Sequence, residues 1–162
     1  MTARIMQKMI DYSKGSLHDI EHFIKVHSYA AAIARLEKLD PGVQTVLEIA
    51  AIVHDIACPM LRERYGRADG KLQEIEGPPL ARALLADCGL SAEQLERVLF
   101  LVAHHHTPDK ADGIDYQILI EADYLVNASE SGYSRENIEN TLDKVFKTAA
   151  GRALLKSIYL DR

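Results

Sequence analysis

Apolar residues recur at steps of three and four positions along most of this chain, which is the spacing of an α-helix buried on one face. In the stretch 16–39 this spacing puts Ile20, Phe23, Ile24 and Ala30 on one side of a predicted helix. Alternation of apolar and polar residues, the mark of a half-buried strand, nowhere persists long enough to predict a sheet. The sequence therefore predicts an all-α bundle of about six to eight helices.

Helix-start signals precede several of these apolar stretches. Serine or aspartate before a helix, followed by proline or by a residue that closes a capping box, satisfies backbone N–H groups that lack a partner inside the helix. Such pairs are Ser16 with Asp19, Asp40 with Pro41, and Ser91 with Gln94. In contrast, residues 65–79 contain three glycines and two prolines and are predicted to form a loop.

The length of 162 residues suits one domain that buries its own core. We expect a single domain over residues 1–162, with its core in residues 16–130 and C-terminal helices in residues 134–160 packed on that core. Hydrophobic residues make up 48% and charged residues 27%, as in soluble globular proteins. The net charge of −5 argues against general binding to the phosphate backbone of nucleic acids.

Cysteine usage and apolar run length bear on the cellular compartment. Cys58 and Cys88 lie thirty positions apart and form no CxxC pair, so we expect two buried thiols rather than a disulfide. No apolar run approaches the roughly 18 residues of a membrane span, and the N-terminus lacks the apolar core of a signal peptide. These features favour a cytoplasmic protein without a membrane partner, and they leave oligomerisation open.

The segment AIVHDIACP, residues 51–59, sets a histidine and an aspartate side by side within an apolar run. Burying a carboxylate or an imidazole without a partner is costly. Residues three and four positions apart share one face of a helix, and by this test six ionisable side chains lie on apolar faces of four predicted helices. They are His27, His54, Asp55, His104, His105 and Asp123. His22, whose neighbours include Asp19 and Lys25, is expected at the surface.

Any one of these side chains, taken alone, is explained as a buried polar group that has found a hydrogen bond. Six in one interior multiply the desolvation penalty, whereas a divalent cation keeps carboxylates ionised and imidazoles neutral. Mixed imidazole and carboxylate ligands favour Mn, Fe, Zn, Co or Ni over Ca and Mg. The sequence thus predicts a centre that holds a divalent transition-metal ion.

A histidine, a later His–Asp pair and a distant aspartate, all on predicted helices, resemble the HD-domain superfamily of metal-dependent phosphohydrolases. The matching residues are His27, His54 with Asp55, and Asp123, and the resemblance covers about residues 20–130. It implies a helical bundle with a central metal site. It also implies an enzyme that hydrolyses a phosphate ester of a nucleotide or another small molecule.

The resemblance further implies a role for each residue. The ligands of a first ion would be His27, His54, Asp55 and Asp123, and those of a second would be Glu76, His104 and His105. Glu76 stands where some members have a histidine, so the second site is either carboxylate-ligated, altered or lost. Asp55 would also orient the attacking water or accept its proton. Cys58 stands where the family often has a lysine, so phosphate contacts are expected from Lys71 and Arg67 in the predicted loop.

Two other functions fit the same residues. A catalytically silent HD-like domain would sense a ligand or bind a protein, and an HD-fold oxygenase would activate oxygen with two irons. The six ionisable groups favour an enzyme, since a silent module has no evident need of them. We therefore expect a small phosphorylated substrate.

Overall fold

The structure, a computed structural model, describes residues 1–161 and has nine α-helices and no β-strand within that range. In chain order the helices are α1 Thr2–Tyr12, α2 Leu17–Leu36, α3 Pro41–Val53, α4 Cys58–Tyr65, α5 Gly70–Leu85, α6 Ala92–Val102, α7 Ile114–Glu130, α8 Arg135–Lys144 and α9 Ala149–Leu155. A short 3-10 turn, Pro108–Lys110, precedes α7, and a π-helical turn, Lys156–Leu160, follows α9. The predicted all-α bundle is confirmed, with more helices than the sequence indicated.

Two of the three predicted helix starts form as expected. The Asp40 carboxylate accepts hydrogen bonds from two backbone N–H groups in the first turn of α3, at 2.8 and 3.4 Å. Ser91 and Gln94 close a reciprocal capping box at α6, with bonds of 3.0 and 3.1 Å. At α2 the Ser16 side chain makes no capping bond. Asp19, its predicted partner in the box, pairs instead with an arginine of α4.

The loop predicted over residues 65–79 is wrong from Gly70 onward, because α5 begins there. Asp69 caps this helix by accepting hydrogen bonds from two backbone N–H groups, at 3.0 and 3.3 Å. Two prolines lie inside α5 although proline in a helix interior costs about 3 kcal/mol. Packing against α6 outweighs the cost of these prolines. Gly77 approaches α6 so closely that a Cβ there would lie 2.8 Å from Val102 Cγ1.

The core lies where α2, α3, α6 and α7 meet. α2 packs against both α7 and α3, and α3 also packs against α6. Phe23 on α2, Leu47 on α3 and Tyr116 on α7 are fully or almost fully buried in this core. α9 packs against α7 and α2 and buries Leu155 completely. His27 and Asp123 lie on α2 and α7, and the turns that contain the His–Asp pair and His105 directly follow α3 and α6.

The two cysteines and the most apolar stretch also lie inside. Cys58 and Cys88 are free and buried, as predicted. The stretch Pro41–Tyr65 is long and apolar enough to be considered as a membrane span, contrary to the expectation from the sequence. It comprises α3, a turn and α4, and 61% of its most apolar window is buried in the protein. A buried core helix passes the same test, so the stretch is weak evidence of a membrane span.

Candidate metal centre

The His–Asp pair lies in the turn that connects α3 to α4, not on a helix as the sequence predicted, because α3 ends at Val53. His54 is fully buried, and its Nδ1–H donates a hydrogen bond to the carbonyl oxygen of Ala51 at 3.0 Å. A carbonyl that holds Nδ1–H leaves the lone pair of Nε2 free to bind a metal. This Nε2 lies 3.5 Å from an oxygen of Asp123 and 3.6 Å from an oxygen of Asp55.

His22 on α2 completes this group, so the prediction that it lies at the surface is wrong. Its side chain is 7% exposed, and its Nδ1 lies 2.8 Å from a carboxylate oxygen of Glu130 at the end of α7. Its Nε2 lies 3.2 Å from Asp123 and 3.3 Å from His54 Nε2. The ligand atoms of His22, His54 and Asp123 all lie within 4.8 Å of one another, close enough to bind one ion.

A second group adjoins the first through Asp55. His105 and His106 follow the end of α6 at Val102, in a turn, and their ligand atoms lie within 4.8 Å of one another and of Asp55. The Nε2 atom of His105 is 3.3 Å from Asp55 Oδ1. Since Asp55 also lies 3.5 Å from His22, its carboxylate faces both groups.

The donor atoms of both groups fit a divalent cation. Among the side-chain nitrogens and oxygens of residues 1–161, His105 Nε2 alone is buried without a hydrogen bond. Its Nδ1–H donates to the carbonyl oxygen of Val102 at 2.9 Å, so the unsatisfied atom is again a lone-pair nitrogen directed inward. A buried polar atom without a partner is costly. A cation held between this nitrogen and the Asp55 carboxylate would satisfy both.

The charges in the cluster also favour a bound divalent cation. Burial by itself lowers the pKa of His22, but the hydrogen bond to Asp123 and the charges of Asp55 and Asp123 outweigh it and raise the pKa to about 9. Burial by itself raises the pKa of Asp55, but His54 and His105 hold it well below its usual range. Protonated imidazole thus balances the carboxylates in the metal-free cluster, and a bound cation would displace such protons.

Two side chains of α7 hold the ligands in position. Glu130 accepts from His22 Nδ1–H and also lies 3.1 Å from the ammonium group of Lys25. Asn127 donates from its amide to Asp123 Oδ1 at 2.9 Å. A carboxylate behind a ligating histidine fixes the orientation of the ring and raises its basicity. Glu130 is therefore a supporting residue that the sequence did not reveal.

His27, the predicted first ligand, lies outside both groups. It is half-buried, and its Nε2 lies 3.3 Å from a carboxylate oxygen of Glu48 on α3. Each residue of a helix turns by about 100°, so positions 22 and 27 point about 140° apart on α2. The helix can therefore direct only one of the two histidines to the cluster. Asp19, one of the polar neighbours that suggested a surface for His22, lines a cavity together with it.

Two of the residues predicted to bind a second ion also lie outside the cluster. His104 donates from Nδ1 to the carbonyl oxygen of Phe100 at 2.7 Å, and its ring packs on the Phe100 ring. Glu76 on α5 is half-buried and is not among the converging ligand atoms of residues 1–161. The α5 side chain that contacts the cluster is Gln73, whose Oε1 lies 3.1 Å from His106 Nε2. The structure thus pairs His105 with His106, where the sequence paired it with His104.

A cation that the sequence did not reveal lines a cavity beside this centre. His22 and Asp55 line a cavity of about 290 Å³, and Arg62 on α4 lines it as well. Arg62 forms an ion pair with Asp19 at the same cavity. Lys71 and Arg67, the predicted phosphate contacts, are exposed and do not line it.

The helical bundle and its inward-facing histidines and aspartates define a class of all-α proteins with a site suited to a divalent metal. A family model described as HD domain matches residues 19–128, and the chain belongs to this family. HD domains bind divalent metals, and the family consists typically of metal-dependent hydrolases.

The chain resembles proteins that are already known. It is 31% identical over 126 residues to ribonuclease Y of Thermus thermophilus, which corresponds to 78% of this chain and 19% of that protein. The chain therefore spans about a fifth of that relative's length. A crystal structure described as a predicted HD superfamily hydrolase from an uncultured Thermotogales bacterium matches with a TM-score of 0.70 and 24% identity. That match covers 97% of this chain and 84% of the other, and it supports the fold.

Proposed function

We propose that this protein is a metal-dependent phosphohydrolase that acts on a small phosphorylated substrate, a nucleotide or another phosphate ester. The observation that carries the proposal is the convergence of five side chains whose lone pairs and carboxylates face one another in the interior. They are His22, His54, Asp55, His105 and Asp123. Mixed imidazole and carboxylate donors favour Mn, Fe, Zn, Co or Ni, and the two adjoining groups suit one or two ions.

Each side chain has a distinct task in this proposal. When bound, the metal would lower the pKa of a water molecule to supply a nucleophile and would polarise a phosphoryl oxygen. Asp55 is ionised, is 26% exposed and lines the 290 Å³ cavity, so it can orient the water and accept its proton. Arg62, at the same cavity, supplies positive charge for a phosphate oxygen. It takes the role that the sequence suggested for Lys71 and Arg67.

The test is hydrolysis of generic phosphate esters by the purified protein with manganese, after chelation, and after manganese is restored. We expect turnover that chelation abolishes and manganese restores. Asp55→Asn should lose at least about a hundredfold in kcat while its circular dichroism spectrum stays that of the wild type. Turnover at the wild-type rate in Asp55→Asn, or none by the metal-loaded wild type, would contradict the proposal.

The same preparation separates the two alternative functions. Metal analysis that finds no bound transition metal, even after reconstitution, would favour a silent ligand-sensing or protein-binding domain. Oxygen consumption by the iron-loaded protein, without ester hydrolysis, would favour an oxygenase.

A second candidate substrate is a phosphodiester bond in RNA. It is favoured by the 31% identity to ribonuclease Y, although the aligned part is 19% of that protein. The net charge of −5 is unfavourable for binding a long phosphate backbone. Cleavage of a short oligoribonucleotide in the same assay, faster than hydrolysis of any monoester, would select this substrate.

A further inference from the structure

His106 is held at the opposite ring nitrogen from the other histidines of the centre. His54 and His105 donate from Nδ1–H to backbone carbonyl oxygens at 3.0 and 2.9 Å, and His22 is bonded to a carboxylate through the same nitrogen. Each of these three rings therefore directs Nε2 at the cluster. In His106 it is Nε2 that has the side-chain partner, because it lies 3.1 Å from Oε1 of Gln73 on α5.

The orientation of the Gln73 amide decides where the His106 proton lies. Gln73 is buried, and its amide nitrogen donates to the carbonyl oxygen of Ala68 at 3.3 Å. The amide oxygen therefore faces His106, and a carbonyl oxygen can only accept a hydrogen bond. Since a neutral imidazole has one proton, that proton lies on Nε2 of His106, and Nδ1 keeps its lone pair.

The first turn of α5 also fixes the position of the His106 ring and backbone. A Cβ at Gly70 would lie 2.9 Å from Cγ of His106, so only a glycine lets the helix approach the ring this closely. Glu74 accepts hydrogen bonds from the His106 backbone N–H at 3.1 Å and from the Thr107 hydroxyl at 2.8 Å. Gln73 thus contacts a ring that has little freedom to turn away from it.

We propose that Gln73 is a positioning residue of the metal centre, which keeps the His106 proton on Nε2 and so makes Nδ1 the atom that binds an ion beside Asp55 and His105. The proposal rests on the proposed function, because it requires the metal centre. A histidine ligand must be neutral, and the hydrogen bond at one ring nitrogen decides that the other binds the metal. α5 thus supports the centre through a hydrogen bond from Gln73, whereas the sequence assigned Glu76 of this helix as a direct ligand.

The test is long-range proton–nitrogen NMR of the histidine rings, which shows the nitrogen that carries the proton. In the metal-free wild type we expect the His106 proton on Nε2, and Zn²⁺, which is diamagnetic, should shift the Nδ1 resonance. Gln73→Met removes the acceptor at similar side-chain length and should give a mixture of both tautomers, whereas Gln73→Glu keeps an acceptor oxygen and should retain the Nε2–H form. Gln44→Met is the matched control, since Gln44 is half-buried on α3 and bonds to Glu48 instead.

Calorimetric titration with Zn²⁺ gives a second measurement. Loss of a group that supports a ligand weakens metal binding by about 10- to 100-fold, so Gln73→Met should lose at least about tenfold in affinity for the ion that His106 binds. A His106 proton on Nδ1 in the wild type, or saturation with Zn²⁺ that leaves its Nδ1 resonance unshifted, would overturn the proposal. Neither measurement needs turnover, so a protein that hydrolyses no ester would contradict the proposed function and leave the role of Gln73 standing.

Discussion

His22, and not the predicted His27, belongs to the metal centre. Substitutions of these two histidines, which lie on the same helix, can therefore be compared directly. His22→Gln removes an imidazole whose Nε2 lies 3.2 Å from Asp123 and 3.5 Å from Asp55. His27→Gln removes an imidazole that lies 3.3 Å from Glu48 of α3. The chemical change is the same in both variants, so a difference in metal binding reports the position alone.

The size of the effect follows from the lost ligand. Loss of a group that merely supports a ligand weakens metal binding by about 10- to 100-fold, so loss of His22 itself should cost at least about 100-fold. With free manganese at 100 times the wild-type Kd, binding stabilises the wild type by about 2.7 kcal/mol and such a variant by about 0.4 kcal/mol. The difference of about 2.3 kcal/mol corresponds to roughly 5–9 °C in the melting midpoint of a chain of this length.

The assay is the change in melting midpoint that manganese produces, measured for each protein against the same protein in chelator. Because each protein is compared with itself in chelator, the stability that His22→Gln loses with the His22–Glu130 contact cancels out. We expect His27→Gln to keep the wild-type shift and His22→Gln to lose most of it. If His27→Gln loses the shift while His22→Gln keeps it, the assignment of the metal centre made here is refuted.

Three further predictions concern the support of the site, its protonation and the fold. Glu130→Gln should weaken manganese binding about tenfold, because the amide holds His22 less strongly; competition with a fluorescent chelator measures this, and unchanged affinity would contradict it. Because the pKa of His22 is about 9 in the metal-free protein, manganese must displace its proton. Affinity in the same competition assay should therefore rise by up to about tenfold per pH unit between pH 6.5 and 9, and a flat profile would count against His22 as a ligand. Gly151→Ala should lower the free energy of unfolding by about 3 kcal/mol, because its Cβ would lie 2.0 Å from a buried oxygen of Glu121. Urea titration in chelator measures this, and the mild stabilisation usual for alanine in a helix would contradict it.

Several features of this protein could be predicted from the sequence because they depend on local chemistry. The three- and four-residue spacing of apolar side chains predicted the helices, and Asp40 and Ser91 predicted two of their starts, since a cap needs only its own first turn. His54 and Asp123 were identified as buried ionisable groups, and Asp55 as an ionisable group beside them, from their immediate neighbours. The inference that they require a cation rests on the cost of desolvating charge, which does not depend on the fold.

Which residues meet at the centre was decided only by the tertiary structure. Helical spacing gives the face of a residue but not the element that this face contacts. His22 was therefore taken for a surface residue, because its neighbour Asp19 is polar, although both line the cavity beside the metal centre. The spacing also ceases to apply where a helix ends. α6 ends at Val102, and in the following turn His104 packs on Phe100 while His106 joins His105. The ends of helices and the contacts between them are set by packing of the whole core, and those contacts select the ligands.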